Sequence, residues 1–479
     1  FFHFNLKKLK KILFKILIYS LILFLNSCNL FDDHKSMINY DYVAIYEEGE
    51  ELLAGNLSVK TNSKNSFGKE IPGLIFKEKI AFGLGNSLFS TPWISVGSTT
   101  AIDGLGPTFN ARSCIGCHSN DGRGKPLKNG ENSMGFILRL SIDNDSLTGE
   151  PIGHQTYGKQ IQDQSNIGVQ YEAKVNVNYQ TLKGIYPDGT KYELRKPSYT
   201  IVDKNFGEIN NIKTSPRVAQ QVIGLGLIDA LSEKSILLNV DEFDKNNDGI
   251  SGKANYVTNV ITKKSSIGKF GWKANQPSLR QQIADAFNGD MGLTSSVFTN
   301  QNCPLPQDKC NDYPNGGDPE VIDSQIDNVV FYQSSIAVPK RRNFKKQNVL
   351  EGKVLFNKSE CIKCHAKNFK TSKSIENKHL EGKIIHPFSD FLLHDMGDGL
   401  ADNRNDFLAN GKEWRTQPLW GIGLIPKVNK HTYLLHDGRA RNIEEAILWH
   451  GGEAENSKIK FMNLSSIERK KVLDYINSL

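Results

Sequence analysis

The residues best suited to chemistry stand in two short boxes of the pattern Cys-x-x-Cys-His, about 250 residues apart. The first box lies in SCIGCHSNDGRG and the second in ECIKCHAK, and their residues are Cys114, Cys117 and His118, and Cys361, Cys364 and His365. Two cysteines at this spacing reach the two vinyl groups of one haem, and the adjacent histidine then lies below the iron. The pattern predicts two covalently bound c-type haems, with His118 and His365 as iron ligands.

Two other chemistries use similar spacing. A thioredoxin-type Cys-x-x-Cys needs no following histidine, whereas a zinc site would pair the two boxes or recruit further ligands. Two complete boxes in one chain favour haem over both.

The remaining three of the seven cysteines are Cys28, Cys303 and Cys310. The last two stand in QNCPLPQDKC, a proline-bearing loop that suits a small disulfide in an oxidising compartment. Cys28 ends the sequence LNSC.

The start of the chain has the features of an export signal. Five lysines precede a short apolar run, residues 16–25, and LNSC follows as a lipobox. Residues 1–27 are therefore predicted to be a lipoprotein signal, with Cys28 as the lipid acceptor that holds a periplasmic or cell-surface protein on a membrane. An uncleaved membrane anchor is the alternative. Without those lysines the net charge of +7 falls to +2, so nucleic acid is not an expected partner.

At 479 residues the chain exceeds what one hydrophobic core usually supports. We expect a tether or N-terminal segment over 28–75, a first haem unit with insertions over 76–344, and a C-terminal cytochrome c unit over 345–479. The expected fold is mainly α, with two cytochrome-c-like haem units. The two units are suggested by GNSLF before the first box, which is echoed by GKVLF before the second.

Periodicity predicts the elements between the boxes. Alternating residues on either side of PDGT predict a small β-hairpin within 165–202, which together with loops enlarges the first unit. Helical spacing predicts helices in PRVAQQVIGLGLIDAL and in PSLRQQIADAFNGDMG.

The loop DKNNDGISG resembles the start of a calcium loop. Asp244, Asn246 and Asp248 stand at alternating positions before a glycine, but the twelfth position is Asn255 instead of a carboxylate. Calcium binding and an Asx-rich turn held by its own side chains are the two interpretations.

Many blocks of the body, from about residue 76 to the end, resemble the di-haem oxidoreductase family sometimes labelled thiol oxidoreductase, which is similar to di-haem cytochrome c peroxidases. These blocks include GLGPTFNARSCIGCHSNDGRG, FGWKANQPSLRQQIADAFNGDMGLTS, HDMGDGLADN, EWRTQPLWGIG and LLHDGRARNIEEAILWHGGEAE.

The resemblance implies roles for residues outside the boxes. The peroxidases take a sixth ligand fourteen residues after the histidine of a Tyr-Phe-His-Asp-Gly block, and this count from His436 reaches His450. A helix-terminal histidine that contacts solvent or a propionate is the alternative, and Met396 is the rival ligand. Trp272 and Gln282 match an inter-haem tryptophan and a following glutamine, although an ordinary core tryptophan is the alternative. Asp290 replaces, two residues out of register, a distal carboxylate that moves protons; a helix cap or an arginine partner is its alternative.

One departure from the peroxidase pattern concerns the first haem. The loop histidine that blocks this haem in many peroxidases has no counterpart here, since Met134 stands at its position. The other histidines, His154, His386, His394 and His436, are interpreted as structural or as contacts of haem propionates.

The resemblance therefore implies an exported oxidoreductase of peroxidase type. Electrons from a small donor, a cytochrome or copper protein, would enter at the low-spin second haem and pass to a catalytic first haem. The alternative is a non-catalytic di-haem electron carrier. Thiol chemistry is disfavoured because every cysteine of the body already has another role.

Overall fold

Short elements joined by long loops surround both boxes. The computed structural model describes residues 43–97, 102–131, 134–142, 146, 148–365, 368–372 and 377–479. Contacts divide the chain into Phe1–Val43 and Ala44–Leu479, and the features below belong to the second unit. The predicted signal and Cys28 lie outside the described residues. No helix in the described ranges has the length and apolar character needed to cross a membrane.

The helices of the described residues are mostly short. They are α1 (Phe76–Ser90), α2 (Cys114–Cys117), α3 (Leu225–Asp229), α4 (Glu233–Leu237), α5 (Leu279–Met291), α6 (Asp308–Asn311), α7 (Asp323–Ser334), α8 (Gln347–Lys358), α9 (Ile425–Asn429), α10 (Ile443–Leu448), α11 (Glu455–Met462) and α12 (Ser466–Ser478). Single 3₁₀ turns cover Gly55–Leu57, Ser119–Asp121, Cys361–Lys363, Lys378–Leu380, Ile422–Leu424 and Gly452–Ala454.

The strands form two-stranded antiparallel sheets. They are β1 (Thr108–Phe109) with β3 (Gln164–Ser165), β2 (Phe136–Ile142) with β6 (Ile212–Val218), β4 (Lys174–Ile185) with β5 (Lys191–Val202), β7 (Tyr256–Asn259) with β8 (Lys264–Ile267), β9 (Phe369–Lys370) with β10 (Ile384–Ile385), and β11 (Leu393–Asp395) with β12 (Glu413–Arg415). The longest pair, β4 and β5, is the predicted hairpin, in the register Lys174 to Val202.

The prediction of a mainly α fold is wrong. Helix accounts for 29% and strand for 19% of the described residues, and this part of the chain does not show two cytochrome-c-like units. One reason is the segment PRVAQQVIGLGLIDAL, whose first residues complete β6 while only Leu225–Asp229 are helical. Strand β6 pairs with β2 across about 70 residues of sequence, and local periodicity does not detect such a pairing.

The other predicted helix is confirmed. PSLRQQIADAFNGDMG contains α5, which begins where the Ser278 hydroxyl accepts the N–H of Gln281 and ends at Gly292 in the left-handed region. The predicted disulfide between Cys303 and Cys310 is also present, with the two Cα atoms 5.7 Å apart.

The described part of the N-terminal segment packs on the body. Leu53, Ala54 and Phe67 are fully buried. The Nζ of Lys353 in α8 pairs with Glu47 at 2.8 Å and with Glu50 at 2.9 Å. Residues 47–67, which belong to the predicted tether or N-terminal segment, thus share the hydrophobic core with α8.

Candidate functional site: two Cys-x-x-Cys-His boxes

The histidine of the first box is held by a main-chain carbonyl. Cys114 and Cys117 lie in the one-turn helix α2, and His118 follows it. The Nδ1 of His118 lies 2.5 Å from the carbonyl oxygen of Gln220, and because this oxygen can only accept, Nδ1 carries the proton. Burial lowers the pKa of His118. The imidazole is therefore neutral, and its Nε2 has a free lone pair.

The second box repeats this arrangement. The Nδ1–H of His365 donates to the carbonyl oxygen of Phe388 at 2.8 Å. Burial lowers the pKa of His365 to about 4, so this imidazole is also neutral. Each box thus presents an Nε2 that is suited to bind iron, with the ring orientation set by a hydrogen bond at the opposite nitrogen.

The two boxes are also supported by similar packing. The ring of Phe89 lies 6.2 Å from that of His118 and 5.4 Å from that of Tyr332, while Phe356 lies 6.3 Å from His365 and 5.4 Å from Tyr475. These phenylalanines end the GNSLF and GKVLF sequences.

The glycines of the same two sequences explain the repeat. A Cβ on Gly85 would lie 2.0 Å from the carbonyl oxygen of Asn328, and one on Gly352 would lie 2.0 Å from that of Lys471. Glycine is therefore required where α1 crosses α7 and where α8 crosses α12. The echo in the sequence reflects two helix crossings, each of which places a phenylalanine against a box histidine.

The four box cysteines are free thiols that do not pair with one another. Burial raises the pKa of Cys114, Cys117 and Cys361 to about 12, and it also raises that of Cys364. Such thiols are neutral, whereas nucleophilic and redox-active cysteines require a lowered pKa. The environment does not fit a thioredoxin-type site.

A large cavity borders the second box. It holds about 1710 Å³ of space free of protein atoms, counted out to its solvent opening. Its wall includes Cys361, Cys364, His365, Met396 and His450. The Nδ1–H of His450 donates to the carbonyl oxygen of Ala446 at 2.7 Å, which leaves Nε2 free. The structure thus brings both candidate sixth ligands, His450 and Met396, to the cavity of the second box.

His436 borders the same cavity. Its ring stacks on Trp414 at 3.9 Å, and its Nδ1–H donates to the carbonyl oxygen of Pro216 at 2.9 Å. Its Nε2 is buried without a partner among the described residues.

A metal-like cluster adjoins the second box. Cys364, Asp390 and His394 are the group of described residues whose ligand atoms lie close enough to hold an ion. However, both nitrogens of His394 already meet carboxylates, Nε2 with Asp390 at 2.8 Å and Nδ1 with Glu453 at 2.6 Å. Burial is the largest single effect and lowers the pKa of His394, but Asp390 and Cys364 together outweigh it and raise this pKa well above its ordinary value. A charged imidazole does not bind zinc, and this cluster does not join the two boxes.

Asp290 lies at the first box. Its carboxylate is near enough to raise the pKa of Cys114 and Cys117, after the larger effect of burial. Its Oδ1 accepts from the Nε2 of Gln160 at 2.9 Å. Burial raises the pKa of Asp290, against the opposing effects of Arg139 and Gln160. The carboxylate is thus buried, lies near the cysteines of the first box and is hydrogen-bonded to Gln160.

Residues of the polar network around Gln160 also line a separate cavity of about 1150 Å³, which is not the cavity of the second box. Asn110 accepts from Gln160 at 2.6 Å and donates to Asp163 at 3.0 Å. Asn110, Asp163 and Lys174 all line this cavity.

Met134 is 66% exposed, so its side chain is directed largely to solvent.

Trp272 lies at the wall of the cavity beside the second box. Its Nε1–H donates to the carbonyl oxygen of Val218 at 2.9 Å, two residues before the Gln220 carbonyl that holds His118. Trp272 thus connects this cavity with the segment that orients the first box. Gln282 is half-buried in α5, and its side chain has no hydrogen-bond partner among the described residues.

The loop with Asp244, Asn246 and Asp248 is closed by its own backbone. Oδ1 of Asp244 and Oδ1 of Asn246 both accept the N–H of Asp248 at 2.9 Å. Oδ2 of Asp248 pairs with Lys363, inside the second box, at 3.2 Å. These contacts match the Asx-rich turn, and Asn255 uses its amide to bind Lys273 and Asp406 carbonyls instead. Calcium binding stays a prediction.

Sequence reasoning missed the groups that orient the boxes. The carbonyls of Gln220 and Phe388 leave no signal, because any residue has a carbonyl and only the fold decides which one meets a histidine. It also missed Arg123 and Arg415, which border the cavity of the second box. Only their positions in the sequence could have indicated them: Arg123 lies five residues after His118, and Arg415 lies within EWRTQPLWGIG.

The arrangement fits two haem groups, because each box combines two unpaired cysteines with a neutral histidine whose Nε2 is free. The chain matches the family described as "Di-haem oxidoreductase, putative peroxidase" over residues 54–479. It belongs to this family of di-haem oxidoreductases. No curated protein and no solved structure matches the chain.

Proposed function

We propose that the protein is an exported di-haem c-type cytochrome oxidoreductase of peroxidase type. Electrons would pass from a low-spin haem at the second box to a catalytic haem at the first, where an oxidant such as peroxide is reduced. The observation that carries this proposal is the common pose of His118 and His365, each with Nδ1–H on a main-chain carbonyl. When bound, the haems supply electron storage and the reduction chemistry.

The box cysteines would attach both haems by thioether bonds. The neutral, unpaired thiols and the cavity bordered by Cys361 and Cys364 support this assignment. His118 and His365 would be the proximal ligands.

The residues around the boxes support unequal roles. His450 borders the cavity of the second box with its Nε2 free and would close that site to substrate. At the first box, Asp290 would accept a proton from the oxidant and return it to the leaving oxygen, since its raised pKa suits both steps. Trp272 would bridge the two sites. Gln282, in α5 two turns before Asp290, would assist at the first box.

The location and partners are proposals of the same kind. Lipid on Cys28 would hold the protein on a membrane, facing the periplasm or the cell surface. The disulfide between Cys303 and Cys310 agrees with an oxidising compartment. A small cytochrome or copper protein would be the electron donor, and calcium would bind at Asp244, Asn246 and Asp248.

The test is electron paramagnetic resonance (EPR) of protein matured with a c-type haem attachment system. One high-spin and one low-spin haem are expected. Two low-spin haems in every redox state would leave no open iron position and would favour the alternative, a non-catalytic electron carrier. If mass spectrometry found no haem adducts on the chain, both the oxidoreductase and the electron-carrier hypotheses would be wrong.

Replacement of Asp290 tests the proton-transfer role. Asp290→Asn keeps the shape but removes the base, and kcat for peroxide should fall about 10²- to 10⁴-fold with haem content unchanged. Asp327→Asn is the control, since Asp327 pairs with Arg280 at the surface and should leave kcat unchanged. Full peroxidase activity of Asp290→Asn in steady-state assays would contradict the role.

A further inference from the structure

Two buried arginines, Arg123 and Arg415, lack the carboxylate partner that the other buried arginines of the described residues have. The arginines buried in the described part of the chain are Arg123, Arg217, Arg341, Arg404, Arg415, Arg439 and Arg469. Five of them pair with a carboxylate at 2.7 to 3.3 Å. Arg123 and Arg415 make no ion pair among the described residues, and both line the cavity of the second box.

Arg415 is 5% exposed, and one of its guanidinium nitrogens makes no hydrogen bond within the described residues. Its Nε donates to the carbonyl oxygen of Gly271 at 2.9 Å, and its Nη2 donates to Oε1 of Gln417 at 2.7 Å. Its Nη1 is buried without a partner among the described residues. Asp390 interacts with the charge of Arg415 but forms no ion pair with it. Because a buried guanidinium nitrogen without a partner is costly, Nη1 indicates a missing anionic ligand.

Arg123 is also 5% exposed and is held at the same cavity from another segment. Its Nε donates to the carbonyl oxygen of Tyr433 at 3.0 Å, and its Nη2 donates to that of Leu435. Its guanidinium lies 5.0 Å from the ring centroid of Trp272. All these hydrogen-bond partners are neutral, and the Asp437 carboxylate interacts with the guanidinium without forming an ion pair.

We propose that Arg415 and Arg123 form a carboxylate subsite that takes the two propionate groups of the haem attached at the second box. This inference rests on the proposed function. A haem carries its two carboxylates on the edge opposite its vinyl groups, and Cys361 and Cys364 hold the vinyl edge. The planar guanidinium donors match a carboxylate in charge and geometry.

The subsite is connected to the first box through hydrogen bonds. Oε1 of Gln417, which accepts from Arg415, also accepts from Nε2 of Gln220 at 2.9 Å. The carbonyl oxygen of Gln220 in turn accepts from His118. Hydrogen bonds therefore connect Arg415 with the residue whose carbonyl orients His118.

The test compares matured wild-type protein with Arg415→Gln and Arg415→Lys. Spectroelectrochemistry should show a lower midpoint potential of the low-spin haem in Arg415→Gln, because loss of a nearby positive charge favours the oxidised iron. Arg415→Lys should retain most of the wild-type potential. Arg280→Gln is the control, since Arg280 lies in α5 and pairs with Asp323 and Asp327 at the surface, and it should change nothing.

The outcomes separate the inference from the proposed function. Loss of the second haem alone in Arg415→Gln, with recovery in Arg415→Lys, would also support the subsite. A Gln variant with both haems and an unchanged potential would overturn it. A wild-type potential that depends on added acetate would instead assign the arginines to a free anion. Absence of haem adducts on the wild-type chain would defeat the proposed function and the inference with it.

Discussion

His450 and Met396 border the same cavity, yet they differ in what they offer to an iron. The Nε2 of His450 is set by the hydrogen bond from Nδ1 to the Ala446 carbonyl. The side chain of Met396 packs against the hydrophobic core, and its main-chain N–H donates to the carbonyl oxygen of Lys412. An oriented imidazole is the stronger candidate, because its geometry is fixed before the ligand arrives.

The first prediction concerns this ligand. His450→Ala should convert the low-spin signal of the second haem to high spin, because the iron loses its sixth ligand. Met396→Leu should leave the low-spin signal in place. EPR of the matured variants measures both, and an unchanged low-spin signal in His450→Ala would refute the choice of His450.

The disulfide loop acts as an element that supports a buried carboxyl group. Gln307, between Cys303 and Cys310, donates from Nε2 to Oε1 of Glu172 at 2.8 Å, and the N–H of Gln162 donates to Oε2 at 2.7 Å. Burial raises the pKa of Glu172 to about 8, against the lowering effect of these two bonds. Gln162 also donates to the carbonyl oxygen of Gly289, next to Asp290.

The second prediction follows from this pKa. Since the folded pKa of Glu172 lies above its unfolded value of 4.5, its stabilising contribution is complete below about pH 4.5 and is lost as pH rises through about 8. Glu172→Gln does not titrate. Between pH 5 and pH 8 the free energy of unfolding of Glu172→Gln should therefore rise by roughly 3 kcal/mol relative to that of wild type.

Urea unfolding of the matured proteins at both pH values measures this difference. Glu208→Gln is the control, because Glu208 is largely exposed and should show no such relative change. A constant difference between Glu172→Gln and wild type at both pH values would show that Glu172 is ionised throughout.

At the scale of the whole molecule, the predicted boundary between 344 and 345 is crossed by buried ion pairs. Lys273 pairs with Asp402 at 2.8 Å with both side chains almost fully buried, and Arg217 pairs with Asp406 at 2.8 Å. Ser251 donates to Glu453 at 2.8 Å. Removal of one partner from a buried pair costs about 3 to 5 kcal/mol.

The third prediction is that residues 345–479 do not fold alone. Asp402 would lose Lys273, Asp406 would lose Arg217, and the wall of the cavity would lack Trp272 and Arg123. Circular dichroism during heating should show no cooperative transition for this piece, while residues 44–479 should unfold cooperatively. A cooperative transition in the isolated piece would identify it as an independent domain.

The long hairpin adds to this connection. Arg195 in β5 donates to the carbonyl oxygens of Gly438 and Arg439 at 2.8 Å. Arg469 in α12 pairs with Asp188 of the hairpin turn at 2.7 Å. The turn residues Asp188 and Gly189 were readable in PDGT, but the distant partners of the hairpin were not.

The sequence by itself determined what depends on local spacing. The two boxes, the disulfide, the hairpin, α5 and the family could all be read from residue types a few positions apart, because their chemistry is local. The tertiary structure alone decided which carbonyl orients each histidine, which arginines are left without a carboxylate, and that β6 is a strand. These features depend on contacts between residues tens to hundreds of positions apart, and neither periodicity nor spacing encodes such contacts.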